Sequence, residues 1–125
     1  MKRTLSKTTD KGKQTEQRVE QFLLAQGLTL RARNFSKPSG EIDLIMQDGN
    51  TLVFVEVRLR KAGNQVSAVE SVDYRKQQRL IRTANWYLQS AKLYDKCACR
   101  FDVVATNNDG DGEKMLWVKD AFSAF

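Results

Sequence analysis

The chain contains no histidine. Ser-His and Cys-His catalysis, His-ligated zinc and an imidazole general base are therefore excluded. Its two cysteines, Cys97 and Cys99, form an isolated C-x-C. Structural zinc takes four N or S ligands, and two would be missing. The pair reads as two small thiols in a reducing compartment. One proline and 7 glycines in 125 residues exclude a collagenous or Pro/Gly-rich disordered chain. The longest nearly apolar runs, around Leu52–Val57 and Phe22–Ala25, fall far short of the roughly 20 residues that span a bilayer. The basic start MKRTLSKTTDKGK lacks the apolar stretch of a secretory leader. A cytoplasmic chain that does not enter a membrane is expected.

Hydrophobic residues make up 41% of the chain and charged residues 29%, enough for one solvated globular domain with its own core. Residues 1–11 read as a flexible basic N-terminal tail and residues 12–125 as a single domain. The net charge is +6 and it is unevenly spread. Through Arg82 there are 16 Lys and Arg against 9 Asp and Glu, and from Thr83 onward 5 against 6. The basic part would attract a polyanion, of which nucleic acid is the commonest, or would simply be solvated.

Apolar periodicity predicts the elements. A helix capped at Thr9 or Asp10 carries the stripe Val19, Phe22, Leu23 and ends at Gly27. A strand follows over Leu28–Arg33, then a turn from Asn34 to Gly40. Glu41–Gln47 and Thr51–Arg60 read as a hairpin around Asp48-Gly49-Asn50. In the first arm strict alternation puts Ile42, Leu44 and Met46 on one face and Glu41, Asp43 and Ile45 on the other. The second arm is apolar on both faces up to Glu56, as a central strand would be. After a polar loop, a second helix over Val72–Ala91 buries Leu80, Ile81, Ala84 and Leu88 and carries Arg75, Arg79 and Arg82 beside Lys76. Strands over Arg100–Thr106 and Met115–Val118 complete the order α-β-β-β-α-β-β, an α/β mixed sheet flanked by helices.

The acids in this frame are suggestive. Glu41 and Asp43 share a strand face, as do Glu56 and Arg58, and counting back from the turn brings Asp43 near Glu56. A buried ionised Glu56 is costly unless it is paired or holds a metal. Glu16 lies at the edge of the first helix's apolar stripe, where it can look toward the strand carboxylates. Gln77 is similarly placed on the second helix. Two or three carboxylates at a sheet edge suit Mg²⁺ or Mn²⁺, whereas a salt bridge from Arg58 or Arg60 to Asp43 or Glu41 would explain the same pattern without a metal. Among the aromatics, Phe35, Tyr74, Trp86, Tyr87 and Tyr94 could stack on bases. Core packing is the expected use of Trp86, Tyr87 and Trp117. Asp102 pairs with Arg100 or joins the site.

These residues resemble a known family. Gly12 with Glu16, Gly27, Arg33-Asn34, Gly40-Glu41-Ile42-Asp43-Leu44-Ile45, Phe54-Val55-Glu56-Val57-Arg58-x-Arg60, Arg100-Phe101-Asp102-Val103-Val104 and Ala121-Phe122 resemble, in order, the YraN (UPF0102) family of small bacterial proteins. That family looks like part of the restriction-endonuclease-like PD-(D/E)-x-K superfamily and is similar in layout to Holliday-junction resolvases. The resemblance implies a helix acid, a strand Asp and an E-x-K on the next strand. Here these are Glu16, Asp43, Glu56 and, at the lysine position, Arg58, with Gln77 in support. It implies Asp43 and Glu56 as metal ligands. It further implies nucleic acid as the partner, DNA before RNA, a setting in DNA repair or recombination, and by analogy with junction resolvases a homodimer. Arg75, Lys76, Arg79 and Arg82 are then the expected phosphate contacts. Arg58 departs from the pattern, because a guanidinium does not deprotonate and is excluded as a general base. Three readings follow: a Mg²⁺-dependent endonuclease acting on branched or single-stranded DNA, a nucleic-acid-binding module without chemistry, and a protein-interaction domain.

Overall fold

The computed structural model describes the backbone of residues 6–60, 69–107 and 114–124 and, within these, the side chains from Gly12 to Leu59, Val69 to Asn107 and Lys114 to Ala124. The elements in chain order are α1 (Ser6–Ala25), β1 (Thr29–Lys37), β2 (Gly40–Asp48), β3 (Thr51–Arg60), α2 (Tyr74–Ser90), β4 (Ala98–Asn107) and β5 (Met115–Phe122). The strands form one sheet in the order β1-β2-β3-β4-β5. β3 and β4 run parallel, joined through α2, and the other neighbours are antiparallel. The mixed α/β architecture and the order α-β-β-β-α-β-β agree with the sequence expectation.

The two helices cover opposite faces of the sheet. Val19 and Leu23 of α1 pack on Leu44, Met46, Val53, Val55 and Val104. Leu80, Ala84 and Leu88 of α2 pack on Ile42, Ile45, Leu52, Phe54, Phe101, Val103 and Ala105. β3 is therefore buried on both faces, as its doubly apolar sequence requires. α1 stops where Gly27 adopts φ 100°. The Leu28 N–H reaches the Leu23 carbonyl at 3.2 Å and the Gly27 N–H reaches Leu24 at 3.0 Å, a paired closure that needs a left-handed residue at Gly27. α2 starts at an Asp73 cap whose carboxylate accepts the Lys76 N–H at 2.8 Å.

Several boundaries differ from the sequence reading. α1 begins at Ser6, before the expected cap at Thr9 or Asp10. Residues 1–5 of the expected tail and residues 61–68 of the expected polar loop lie outside the described residues, as do residues 108–113 and 125. β1 continues through Asn34 to Lys37, so the turn shrinks to Pro38-Ser39. Asn34 takes φ 49°, a value that reads as a turn in isolation, yet Phe35 and Ser36 resume pairing with Ile42 and Glu41. β5 likewise runs past Val118 to Phe122, through Asp120 at φ 52°.

The correction that matters most for the site lies in β2. Strict alternation placed Ile42 with Leu44 and Met46. Instead, Ile42 joins Ile45 on the α2 face while Leu44 and Met46 face α1. The alternation slips by one residue, and Asp43 sits at the slip.

Candidate acidic site and its relatives

The slip at Asp43 coincides with the end of a ladder. β2 and β3 pair from Asp48↔Thr51 to Leu44↔Val55 and no further. Beyond that point the Asp43 carboxylate takes the place of a backbone partner, its Oδ2 accepting the Val57 N–H at 2.8 Å. The two strands part around this side chain. The hairpin count from the Asp-Gly-Asn turn thus placed Asp43 beside Glu56, and the i, i+2 count placed it with Glu41; it is Ile42 whose face the alternation rule misplaced.

Two more acids arrive from the α1 side. Glu16, Glu41 and Asp43 each place a carboxylate oxygen within 4.8 Å of the others. Asn34 bridges the first two, its Nδ2 donating to Glu16 Oε1 at 2.9 Å and to Glu41 Oε2 at 3.2 Å. Ser36 Oγ donates to Glu41 Oε1 at 2.7 Å. The left-handed Asn34 aims its amide at this cluster. Neither Glu41 nor Asn34 was singled out as a site residue. The signal available was the i, i+2 spacing of Glu41 and Asp43.

On the α2 side stands Glu56, its side chain 5% exposed, with Arg58 Nε at 3.6 Å and Lys76 Nζ at 3.5 Å. Lys76, expected among the outward phosphate contacts, thus turns inward to an acid. Arg58 is anchored by Nη2, which donates to the Ser71 carbonyl at 2.7 Å. Its Nε is a buried side-chain nitrogen without a hydrogen-bond partner, a costly state that invites an acceptor. Gln77 donates to the Val72 carbonyl at 3.0 Å. It braces the approach to α2, and among the described residues no hydrogen bond joins it to the acids.

Crowding acids out of water has a definite electrostatic result. Burial, then the charge of Glu56, pushes the Asp43 pKa up to about 8, with Glu16 and Glu41 adding to the rise and the Val57 N–H opposing it. Burial also raises Glu56, against the pull of Lys76 and Arg58. With no cation present, Asp43 is substantially protonated at neutral pH. The cluster is a patch of hard oxygen donors.

Two other polar groups lie apart from this cluster. Asp102 is completely buried and accepts hydrogen bonds from Arg100, Trp117 and the Asp120 N–H, none of them from the acidic cluster. Of its two expected roles, pairing with Arg100 is the one observed. Cys97 and Cys99 are free thiols, and burial together with Cys97 raises the Cys99 pKa to about 12, so Cys99 is not a thiolate nucleophile at neutral pH. No described helix is long and apolar enough to cross a membrane.

The stretch of chain that builds this geometry matches a family profile. The profile described as "Uncharacterised protein family UPF0102" matches residues 15–106, a span that runs from α1 through β4 and includes every acid of the cluster. A UPF0102 protein of Stutzerimonas stutzeri is 44% identical over 120 residues, covering 96% of this chain and 100% of the relative. One from Nitrosococcus oceani is 44% identical over 113 residues, covering 90% and 91%. A third, from Pseudomonas paraeruginosa, is 45% identical over 117 residues, covering 92% and 94%. Identity of this order over nearly the whole of both chains, with the profile running from α1 through β4, places the chain in the UPF0102 family.

Proposed function

We propose that this protein is a nucleic-acid-binding, Mg²⁺- or Mn²⁺-dependent endonuclease that cleaves phosphodiester bonds in DNA. The observation that carries this reading is the gathering of Glu16, Glu41 and Asp43 next to the Glu56–Arg58–Lys76 group, at the place where β2 and β3 part. The donor set fits a hard divalent cation. It offers only carboxylate oxygens close together, and their mutual repulsion is what such an ion relieves. Asp43 would be the central ligand, with Glu16 and Glu41 on one side and Glu56 on the other. When bound, the ion supplies Lewis acidity for attack of water on phosphorus.

The protein's own groups then have distinct tasks. Asn34 and Ser36 hold Glu16 and Glu41 in position, and the Val57 N–H holds Asp43. Arg58, its side chain 29% exposed beside Glu56, stabilises charge on the phosphate electrostatically. The ammonium absent from position 58 is supplied by Lys76, which reaches Glu56 from α2 rather than from β3. Arg75, Arg79 and Arg82 contact backbone phosphates and add affinity without reading sequence.

Arg58 also favours a second reading, in which the domain binds nucleic acid and cleaves it weakly or not at all. Incubation with single-stranded, duplex and four-way-junction DNA and with RNA, in Mg²⁺ and separately in Mn²⁺, separates the two. Cleavage by the wild type that falls at least about a hundredfold in Asp43→Ala, with binding retained, is the expected result. Salt-sensitive binding with every substrate intact would favour the second reading. Absence of binding at low salt would leave a protein-interaction role.

A further inference from the structure

A second feature of α2 points to the form of nucleic acid that is bound. Arg75, Arg79, Arg82 and Trp86 are spaced 4, 3 and 4 apart and so share one face of the helix. All four are exposed, and none of the three arginines has a carboxylate partner among the described residues. The face runs for about 16 Å along the helix axis. It begins one residue before Lys76, which touches Glu56, and passes Gly40 at Arg79, the residue preceding Glu41 of the acidic cluster. It ends at an indole that the sequence pattern had assigned to the core. Tyr87 is the residue that packs inward, edge-on to Phe35 at 5.3 Å and to Phe54 at 6.2 Å. Trp86 is 52% exposed. Lys37, from the end of β1, places its ammonium 5.4 Å from the Trp86 ring centroid, which steadies the ring and adds a fourth cation to the face.

We infer that this face binds a single-stranded polynucleotide, with the arginines and Lys37 along its phosphates and Trp86 stacked on an unpaired base. The inference rests on the nucleic-acid part of the proposed function and specifies its substrate class. The occupant follows from two complementarities. A row of unpaired cations suits a polyanion. An exposed indole at the end of that row suits a flat apolar surface, which an unpaired base offers on its open face and a base inside a duplex keeps within its stack. An acidic protein segment would satisfy the cations but would give the indole nothing to stack on.

The test is binding by fluorescence anisotropy in EDTA, so that cleavage plays no part. The probes are labelled 20-mers of oligo-dT and oligo-U and a mixed-sequence DNA duplex of the same length, with polyglutamate as competitor. Single strands are expected to bind more tightly than duplex. Trp86→Ala should weaken single-strand binding roughly five- to 150-fold, Trp86→Phe should retain most of it, and both should leave duplex binding unchanged. Arg79→Ala should lower the salt dependence of single-strand binding by about 0.7 in the slope of log K against log salt. A dT/U preference then tells DNA from RNA. Equal affinity of wild type and a folded Trp86→Ala, preference for duplex, or displacement of oligo-dT by polyglutamate at matched charge would each overturn the inference. The endonuclease reading fails separately. Tight, Trp86-dependent binding without any Mg²⁺- or Mn²⁺-dependent cleavage sinks that reading alone, and cleavage indifferent to Trp86 sinks this one alone.

Discussion

Asp102→Ala should destabilise the fold by about 3–5 kcal/mol, a large fraction of the stability of a chain this size. The Asp102 side chain is wholly buried, and both oxygens are used twice. Oδ1 accepts from Arg100 Nε and the Asp120 N–H, each at 2.9 Å. Oδ2 accepts from Trp117 Nε1 at 2.8 Å and Arg100 Nη2 at 3.2 Å. These bonds fasten β5 to β4 where their register shifts between Phe101 and Val103 and where Asp120 is left-handed. Removing the carboxylate strands the indole N–H and the Asp120 N–H and leaves Arg100, 18% exposed, with Asp48 as its one remaining side-chain partner among the described residues. Asp102→Asn keeps one acceptor and should cost less. Urea denaturation of both variants checks the order. A loss under 1 kcal/mol for Asp102→Ala would show that the network contributes little.

The second large effect concerns pH. In the absence of divalent cations Asp43 titrates near 8 in the folded chain, against about 3.9 for an unperturbed aspartate. Between these values the folded state holds a proton that the unfolded state has released. The contribution of Asp43 to stability is therefore fully present below the lower value and is lost as pH rises toward 8, with a limiting slope of about 1.4 kcal/mol per pH unit. Glu56, also raised, acts in the same sense. Asp43→Asn removes the larger contribution while its amide oxygen still accepts the Val57 N–H. That variant should show a flatter profile from pH 4 to 8 and should melt at a higher temperature than the wild type at pH 8 in EDTA. Thermal melts across this range provide the comparison. Parallel profiles would mean that Asp43 is ionised and well solvated in the fold.

Much of this arrangement was legible in the sequence because it follows from short-range rules. The doubly apolar run Leu52–Val57 marked the central strand, and the Asp-Gly-Asn turn fixed the hairpin count that sets Asp43 beside Glu56. What escaped depended on neighbours distant in sequence. Nothing local announces that β2 slips at Asp43, since the slip exists only where the ladder with β3 ends and the carboxylate replaces a backbone partner. Asn34 read as the start of a turn because the segment from it to Gly40 holds the only proline, whereas the strand runs on through it to Lys37 and its amide serves Glu16 and Glu41. The ion pair of Lys76 with Glu56 and the exposure of Trp86 escaped for a single reason. A helix pattern gives the spacing of faces but not the angle at which the helix lies on the sheet, and that angle turns Lys76 to Glu56, Tyr87 to Phe35 and Trp86 to solvent.

The central claim is that these acids form a site for a hard divalent cation. Calorimetric titration with Mn²⁺ at pH 7.5, repeated in buffers of different ionisation enthalpy, tests it most directly, because an ion that binds a protonated Asp43 must displace a proton. The expected result is one Mn²⁺ per chain, with up to about one proton released, and loss of both signals in Asp43→Asn. Absence of Mn²⁺ binding, or binding that Asp43→Asn leaves unchanged, would contradict the account.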